Sequence, residues 1–187
     1  MKRLLFVALL GITLGTTAQA QFIDATINPI GALFGNFSAA AEFPITENMS
    51  AEPTIGFVLR NNNLIGGEFR GRGFSLGGRY KYYFSPREDN DRFYVNAYTR
   101  FSNASFSNDA FDDLDYSNTR LSLGVGLGFK VVADNGLVFD VGFGVGRALL
   151  NNYNINGEDN FGLEEAFGTL ASIDADGRLS IGYRFGN

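Results

Sequence analysis

The sequence predicts an all-β fold, an eight-stranded antiparallel transmembrane up-and-down β-barrel. Three observations predict it. An export signal opens the chain. Bulky apolar residues then alternate with bare or polar ones at a period of two along most of the remainder. Short polar connections alternate with longer ones, as inner turns and outer loops do in membrane barrels. Composition agrees: 24 Gly and 19 Phe stand against 4 Pro. A chain rich in both Gly and Phe is poor helix material but suits a sheet with one bulky and one bare face.

The signal occupies residues 1–20. Lys2 and Arg3 form a basic start, residues 4–14 an uncharged apolar core, and Ala18-Gln19-Ala20 an A-x-A cleavage site defined by Ala18 and Ala20. The apolar core is too short to span a bilayer as a helix. A buried N-terminal helix is the competing reading, and it leaves the order of charge, core and cleavage site unexplained. Cleavage makes residues 21–187 a single domain. No later segment approaches the ~20 apolar residues of a transmembrane helix. A spanning chain is then left with a closed barrel, because lipid offers no partner to unpaired backbone groups.

The strands follow in order. The first, residues 24–34, is the least regular, and Pro29 within it points to a bulge or irregular pairing. Gly35-Asn36 reads as a tight turn. Phe37, Ala39, Ala41 and Phe43 then oppose Ser38, Ala40 and Glu42, and Ile55, Phe57 and Leu59 oppose Thr54, Gly56 and Arg60. Phe74, Leu76, Tyr80, Tyr82 and Phe84 oppose Ser75, Gly77, Arg79, Lys81 and Tyr83. Phe93, Val95, Ala97, Thr99 and Phe101 oppose Tyr94, Asn96, Tyr98, Arg100 and Ser102. The pattern is sharpest at residues 119–131, where Leu121, Leu123, Val125, Leu127, Phe129 and Val131 oppose Arg120, Ser122, Gly124, Gly126, Gly128 and Lys130. Asn135-Gly136 supplies a hairpin turn. Leu137, Phe139, Val141, Phe143 and Val145 then oppose Asp140, Gly142, Gly144 and Gly146. The last strand sets Leu179, Ile181, Tyr183 and Phe185 against Arg178, Ser180, Gly182 and Arg184, and its parity extends back to Ala171. Residues 46–48, 85–91 and 134–136 read as short connections; residues 61–72, 108–118 and 151–169 read as long ones.

Alternation alone does not say which face is inside. A soluble sandwich buries its apolar face, whereas a membrane barrel turns it to lipid. Aromatics gather at strand ends on the apolar face, as an interfacial girdle does. The polar face mixes glycines with long charged side chains, as a narrow lumen requires. Both favour lipid. Val125, mid-strand, is therefore expected on the lipid face and Gly126 in the lumen.

On these patterns the chain resembles the small eight-stranded outer-membrane barrels of OmpA/OmpX-like architecture, and is similar to small outer-membrane barrel proteins of Bacteroidetes. The resemblance spans residues 21–187 and rests on pattern rather than on one sharp motif. It implies a place in the cell outer membrane, contact with its lipid and lipopolysaccharide, and insertion by the barrel assembly machinery. Leu179, Ile181, Tyr183 and Phe185 resemble the C-terminal assembly signal of such barrels, although Gly186 and Asn187 follow the terminal aromatic here.

Composition excludes several function classes. Loss of Lys2 and Arg3 with the signal leaves 13 bases against 20 acids, a net charge of −7, so a basic nucleic-acid footprint is absent. Without Cys there are no disulfides or thiolate metal sites, and without His no Ser-His-Asp chemistry. No carboxylate pair is placed distinctively enough to propose acid–base catalysis. The glycines at 124–128 and 142–146 lie within strands and are not phosphate loops. No enzyme and no cofactor is expected.

The candidate site is a lumen charge network of Glu42, Glu52, Arg79, Lys81, Arg100, Arg120, Lys130, Asp140, Arg178 and Arg184, with Asp24 a weaker candidate. Two readings stand: a structural ion-pair plug, or a narrow path favouring anions. Acidic loops (Asp109, Asp112, Asp113 and Asp115; Glu158, Asp159, Glu164 and Glu165) either hold divalent cations or are solvated surface. Asp174-Ala175-Asp176-Gly177 echoes part of a Ca²⁺ loop without its remaining ligands. The expected role is structural or surface-interacting within the envelope. The alternatives are a small porin-like channel and a soluble periplasmic or secreted β-sandwich binding protein.

Overall fold

The computed structural model describes residues 22–33, 35–62, 69–87, 89–108, 114–155, 158–159 and 172–186. The strands are β1 (Ile23–Ile27), β2 (Asn36–Thr46), β3 (Met49–Asn62), β4 (Phe69–Tyr83), β5 (Arg92–Asn108), β6 (Leu114–Val132), β7 (Leu137–Ile155), the two-residue β8 (Glu158–Asp159) and β9 (Ile173–Phe185). One short helix, α1 (Pro29–Leu33), lies between β1 and β2.

Eight of these strands form one antiparallel up-and-down ring. Each pairs with its sequence neighbour from β1 to β7; β7 pairs with β9, and β9 closes on β1. β8 only extends the end of β7. The strands do not divide into two stacked sheets.

The period-two pattern settles into two faces. Outside lie Phe57, Leu76, Val95, Leu127, Phe143 and Leu179, all exposed. Inside lie Asp24, Glu42, Glu52, Lys81, Lys130 and Asp140, all buried. The interior is thus polar and the exterior apolar, the reverse of a water-soluble core. Leu179, Ile181, Tyr183 and Phe185 all take the outer face of β9.

Several expectations need correction. The first strand ends at Ile27, because Pro29 starts a helix: proline lacks the N–H a ladder needs, and its fixed φ suits a first helical position. The first outer connection is accordingly longer than a tight turn at Gly35-Asn36, and Asn36 already belongs to β2. Parts of all three long connections are strand: β4 begins at Phe69, β6 at Leu114, and β7 runs to Ile155. The last strand begins at Ile173, and Ala171 lies outside the described residues. In the 133–136 turn Gly136 takes φ 84° while Asn135 stays at negative φ, so three residues make the turn with glycine in the left-handed position.

A bulge shifts the β6–β7 register at Leu121/Ser122. It puts the consecutive Leu149 and Leu150 both outside, and reverses the parity of β7 beyond them. Wall height varies around the ring: β6 and β7 have 19 residues each, β2 has 11 and β1 only 5.

Candidate functional site

The interior charges assemble in two tiers. The lower tier lies at the end of the ring where β1 begins and β9 ends, and centres on Lys81, whose side chain is 0% exposed. Its ammonium stands 2.6 Å from Glu42, 2.5 Å from Glu52 and 3.0 Å from Asp140. Lys130 bridges Asp24 and Glu42 at 2.8 Å each. Arg184 grips Asp24 with Nε at 2.7 Å and Nη2 at 2.8 Å, the two-pronged geometry only a guanidinium offers. Arg178 joins Glu52 at 2.5 Å to Asp140 at 2.9 Å.

Two tyrosines seal this tier. Tyr83 donates to Glu42 at 2.6 Å and Tyr94 to Asp140 at 2.7 Å. Arg178 also donates to the Tyr94 hydroxyl. The Lys81 and Lys130 ammoniums each sit 4.9 Å from a ring centroid, of Tyr94 and Tyr83 respectively. Both rings are fully buried. Ionised groups taken out of water need partners on every side, and here each cation meets carboxylates, aromatic faces or both.

The upper tier is looser. Arg79 spans Glu52 at 3.0 Å and Asp176 at 2.8 Å. Arg100 spans Asp174 at 2.6 Å and Asp176 at 3.0 Å, with 32% of its side chain exposed. Arg120 lies 3.7 Å from Asp174 and donates to the Ile173 carbonyl at 2.5 Å. Tyr98 donates to Asp174 at 2.9 Å.

The structure therefore brings Glu42, Glu52, Arg79, Lys81, Arg100, Arg120, Lys130, Asp140, Arg178 and Arg184 into one connected network, with Asp24 inside it. Asp174 and Asp176 belong to it as well. They lie on a strand and face inward, so they form no part of a Ca²⁺ loop. Their parity with Arg178 and Ser180 was the signal that places them. Tyr83, Tyr94 and Tyr98 share parity with the inward charges but were not singled out, since a tyrosine carries no charge to balance.

Glu42, Glu52 and Asp140 have oxygens within 4.8 Å of one another, a spacing that suits a metal ion. The Lys81 ammonium stands among them and supplies the positive charge itself. Ala18 and Ala20 lie outside the described residues, as do Asp109, Asp112, Asp113, Glu164 and Glu165. The side chains of Asp115, Glu158 and Asp159 are likewise outside what is described.

The interior glycines are spaces for tyrosines. A side chain at Gly124 would collide with the Tyr98 ring, and one at Gly128 with Tyr94. Those rings come from the adjoining strand, since Tyr98 pairs with Gly124 and Tyr94 with Gly128. Gly126 is similarly enclosed: a Cβ there would lie 2.7 Å from the Phe143 carbonyl and 3.0 Å from Asn96 Nδ2. Gly126→Leu is expected to destabilise the ring by about 1–3 kcal/mol through overpacking. The urea midpoint of the folded form measures it, and an unchanged midpoint would show spare room inside.

No family model matches the chain, and neither does any curated protein or solved structure.

Proposed function

We propose that this chain is an outer-membrane β-barrel, inserted after signal-peptide export, with a non-enzymatic structural or surface-interaction role and a lumen closed to ions. The observation that carries the reading is the pairing of a largely apolar outer band with a charged, self-neutralising interior. Among the described residues no helix is long and apolar enough to cross a membrane; strands would do the crossing.

The band has the height a bilayer asks for. Along the outer face of β6, apolar residues run from Val131 to Leu121, and Thr119 follows. Over that distance a strand tilted by about 40° climbs about 25 Å, the height of a barrel's apolar belt. Asn103, paired with Thr119, and Arg72 bound the band on β5 and β4, whereas on β7 Arg147, paired with Leu123, interrupts it before the outward Leu149 and Leu150. At the opposite end Tyr82, Phe84, Phe93, Tyr183 and Phe185 form an aromatic border, with Tyr82–Phe84 and Tyr183–Phe185 ring centroids each 5.1 Å apart.

The lower tier favours a plug over a channel. An ion would have to displace Lys81, Tyr83 and Tyr94, all buried and all hydrogen-bonded into the network. Across the interior, seven bases meet six acids when Asp24, Asp174 and Asp176 are counted, so little charge is left to attract a permeant anion.

Two measurements test this. In purified outer membranes, the unboiled protein should migrate differently from the boiled protein on a detergent gel, because a closed barrel resists the detergent until heated. In planar bilayers, wild type and Arg100→Ala should both be silent. A soluble fraction with no band shift would overturn the membrane reading. Steady conductance from wild type would leave the barrel standing and make it a channel.

A further inference from the structure

β1 is too short to line the whole of β9. Their pairing runs from Ile23↔Phe185 to Ile27↔Ile181 and stops. Residues 173–180 of β9 continue past it, and among the described residues nothing pairs with that edge. On the far side of the gap, the Ser38 carbonyl accepts from the Asn28 N–H at 3.1 Å, and α1 packs against β2 and β9. Among the described residues the wall is therefore incomplete between β9 and β2, where an unpaired edge facing lipid is costly.

A cavity of about 370 Å³ opens at this gap. It is lined from both sides of the wall: by the outward Ile27, Phe37, Ile55 and Phe57, and by the inward Arg79, Arg100 and Arg178. An apolar groove of about 210 Å³ on the outer face shares those four apolar residues. Gly177, on the free edge, lines the cavity too, and a Cβ added there would meet nothing within 4 Å. Pockets of about 300–1,000 Å³ that are mostly apolar with a few convergent polar groups are the usual form of a small-molecule site.

We infer that this gap is a lateral binding site for a single-chain anionic amphiphile of the fatty-acid type, entering from the surrounding lipid. The inference rests on the outer-membrane reading above. The chain would lie in the groove against Phe37 and Phe57, and the carboxylate would reach the guanidiniums within. Three arginines face one acid, Asp176, in the cavity wall. Each arginine is already paired, but a guanidinium carries five donors. Arg100 is the most open of the three, at 32% against 13% for Arg79 and 8% for Arg178.

The test uses the full mature chain in a non-ionic detergent, with radiolabelled palmitate and methyl palmitate as probes. A boiled and unboiled gel is run on every sample. Wild type should retain palmitate. Gly177→Trp adds bulk at the free edge, where a Cβ meets nothing within 4 Å, and Arg100→Gln removes the exposed charge. Each should weaken palmitate binding by about tenfold or more, and methyl palmitate should bind wild type about tenfold less well, the scale of one charge-assisted hydrogen bond. Palmitate that is not retained by heat-shifted wild type overturns the inference and leaves the barrel reading intact. So does unchanged binding in both variants. Wild type that shows no heat shift removes the membrane reading, and the inference with it. The chain has no cysteine, so disulfide-linked dimers from Ala175→Cys would assign the edge to a second copy instead, and would also overturn it.

Discussion

Lys81→Met should lower the stability of the folded ring by about 3–5 kcal/mol, the range for stripping one partner from a buried ion pair. The upper end is expected, because one ammonium serves three carboxylates. Methionine keeps the length and apolar body of the side chain, so the effect isolates the charge. Without it Glu42, Glu52 and Asp140 would face one another with oxygens within 4.8 Å, in a space closed to water. Arg178 would still hold Glu52 and Asp140, but Glu42 would keep only Lys130 and the Tyr83 hydroxyl. A urea titration followed by the unboiled gel band measures the loss. Adding Glu52→Gln should return part of it, since it removes one repelling charge from a coupled group. If Lys81→Met unfolds at the wild-type urea concentration, pairing does not hold the plug together.

The second large effect tests the apolar band. Val125 is 63% exposed on β6, flanked by Leu123 and Leu127 and paired with Ala97 and Val145. It lies midway between Val131 at one border of the band and Thr119 at the other. Val125→Arg should cost about 2–4 kcal/mol if that position meets the bilayer midplane. The same change on a water-facing strand would fall within about 0.5 kcal/mol of neutral. The fraction of heat-shifted protein in vesicles separates the two cases. Insertion as efficient as wild type would mean that the outer face does not meet lipid.

Much of the fold was legible because its signal is local. At residues 119–131 each face has its own kind of residue, so the period of two is plain to read. The same contrast marks β7 and the end of β9. It inverts towards the long rim of the ring: there Phe106, Leu114 and Tyr116 take the parity of the inward residues, while Ser105, Ser107, Asp115 and Ser117 take the other. Backbone pairing carries these strands on regardless of side chain, and so residues 108–118 read as a loop although β5 runs to Asn108 and β6 begins at Leu114. The helix α1 was missed for a related reason. Pro29 signals a break in a strand, and only the packing around it decides that a turn of helix fills the break. The strand parity runs through Asp174 and Asp176, but nothing local joins them to the charge network: Arg100 and Arg79, which hold them, lie 74 and 97 residues away along the chain.

What the sequence determined by itself was which residues share a face and in what order the strands run, because both follow from the pleat and from adjacent turns. Closure of the ring decided the rest. It turned the polar face inward, chose one carboxylate set for each cation, and laid Tyr94 and Tyr98 over the glycines of β6. Among the described residues it also left residues 173–180 of β9 without a partner on one side. The physical reason is distance along the chain: the pairing of Asp24 with Arg184, or of Lys130 with Asp24, joins residues 160 and 106 positions apart. Such contacts depend on the strand register around the whole ring, and no local pattern encodes that register.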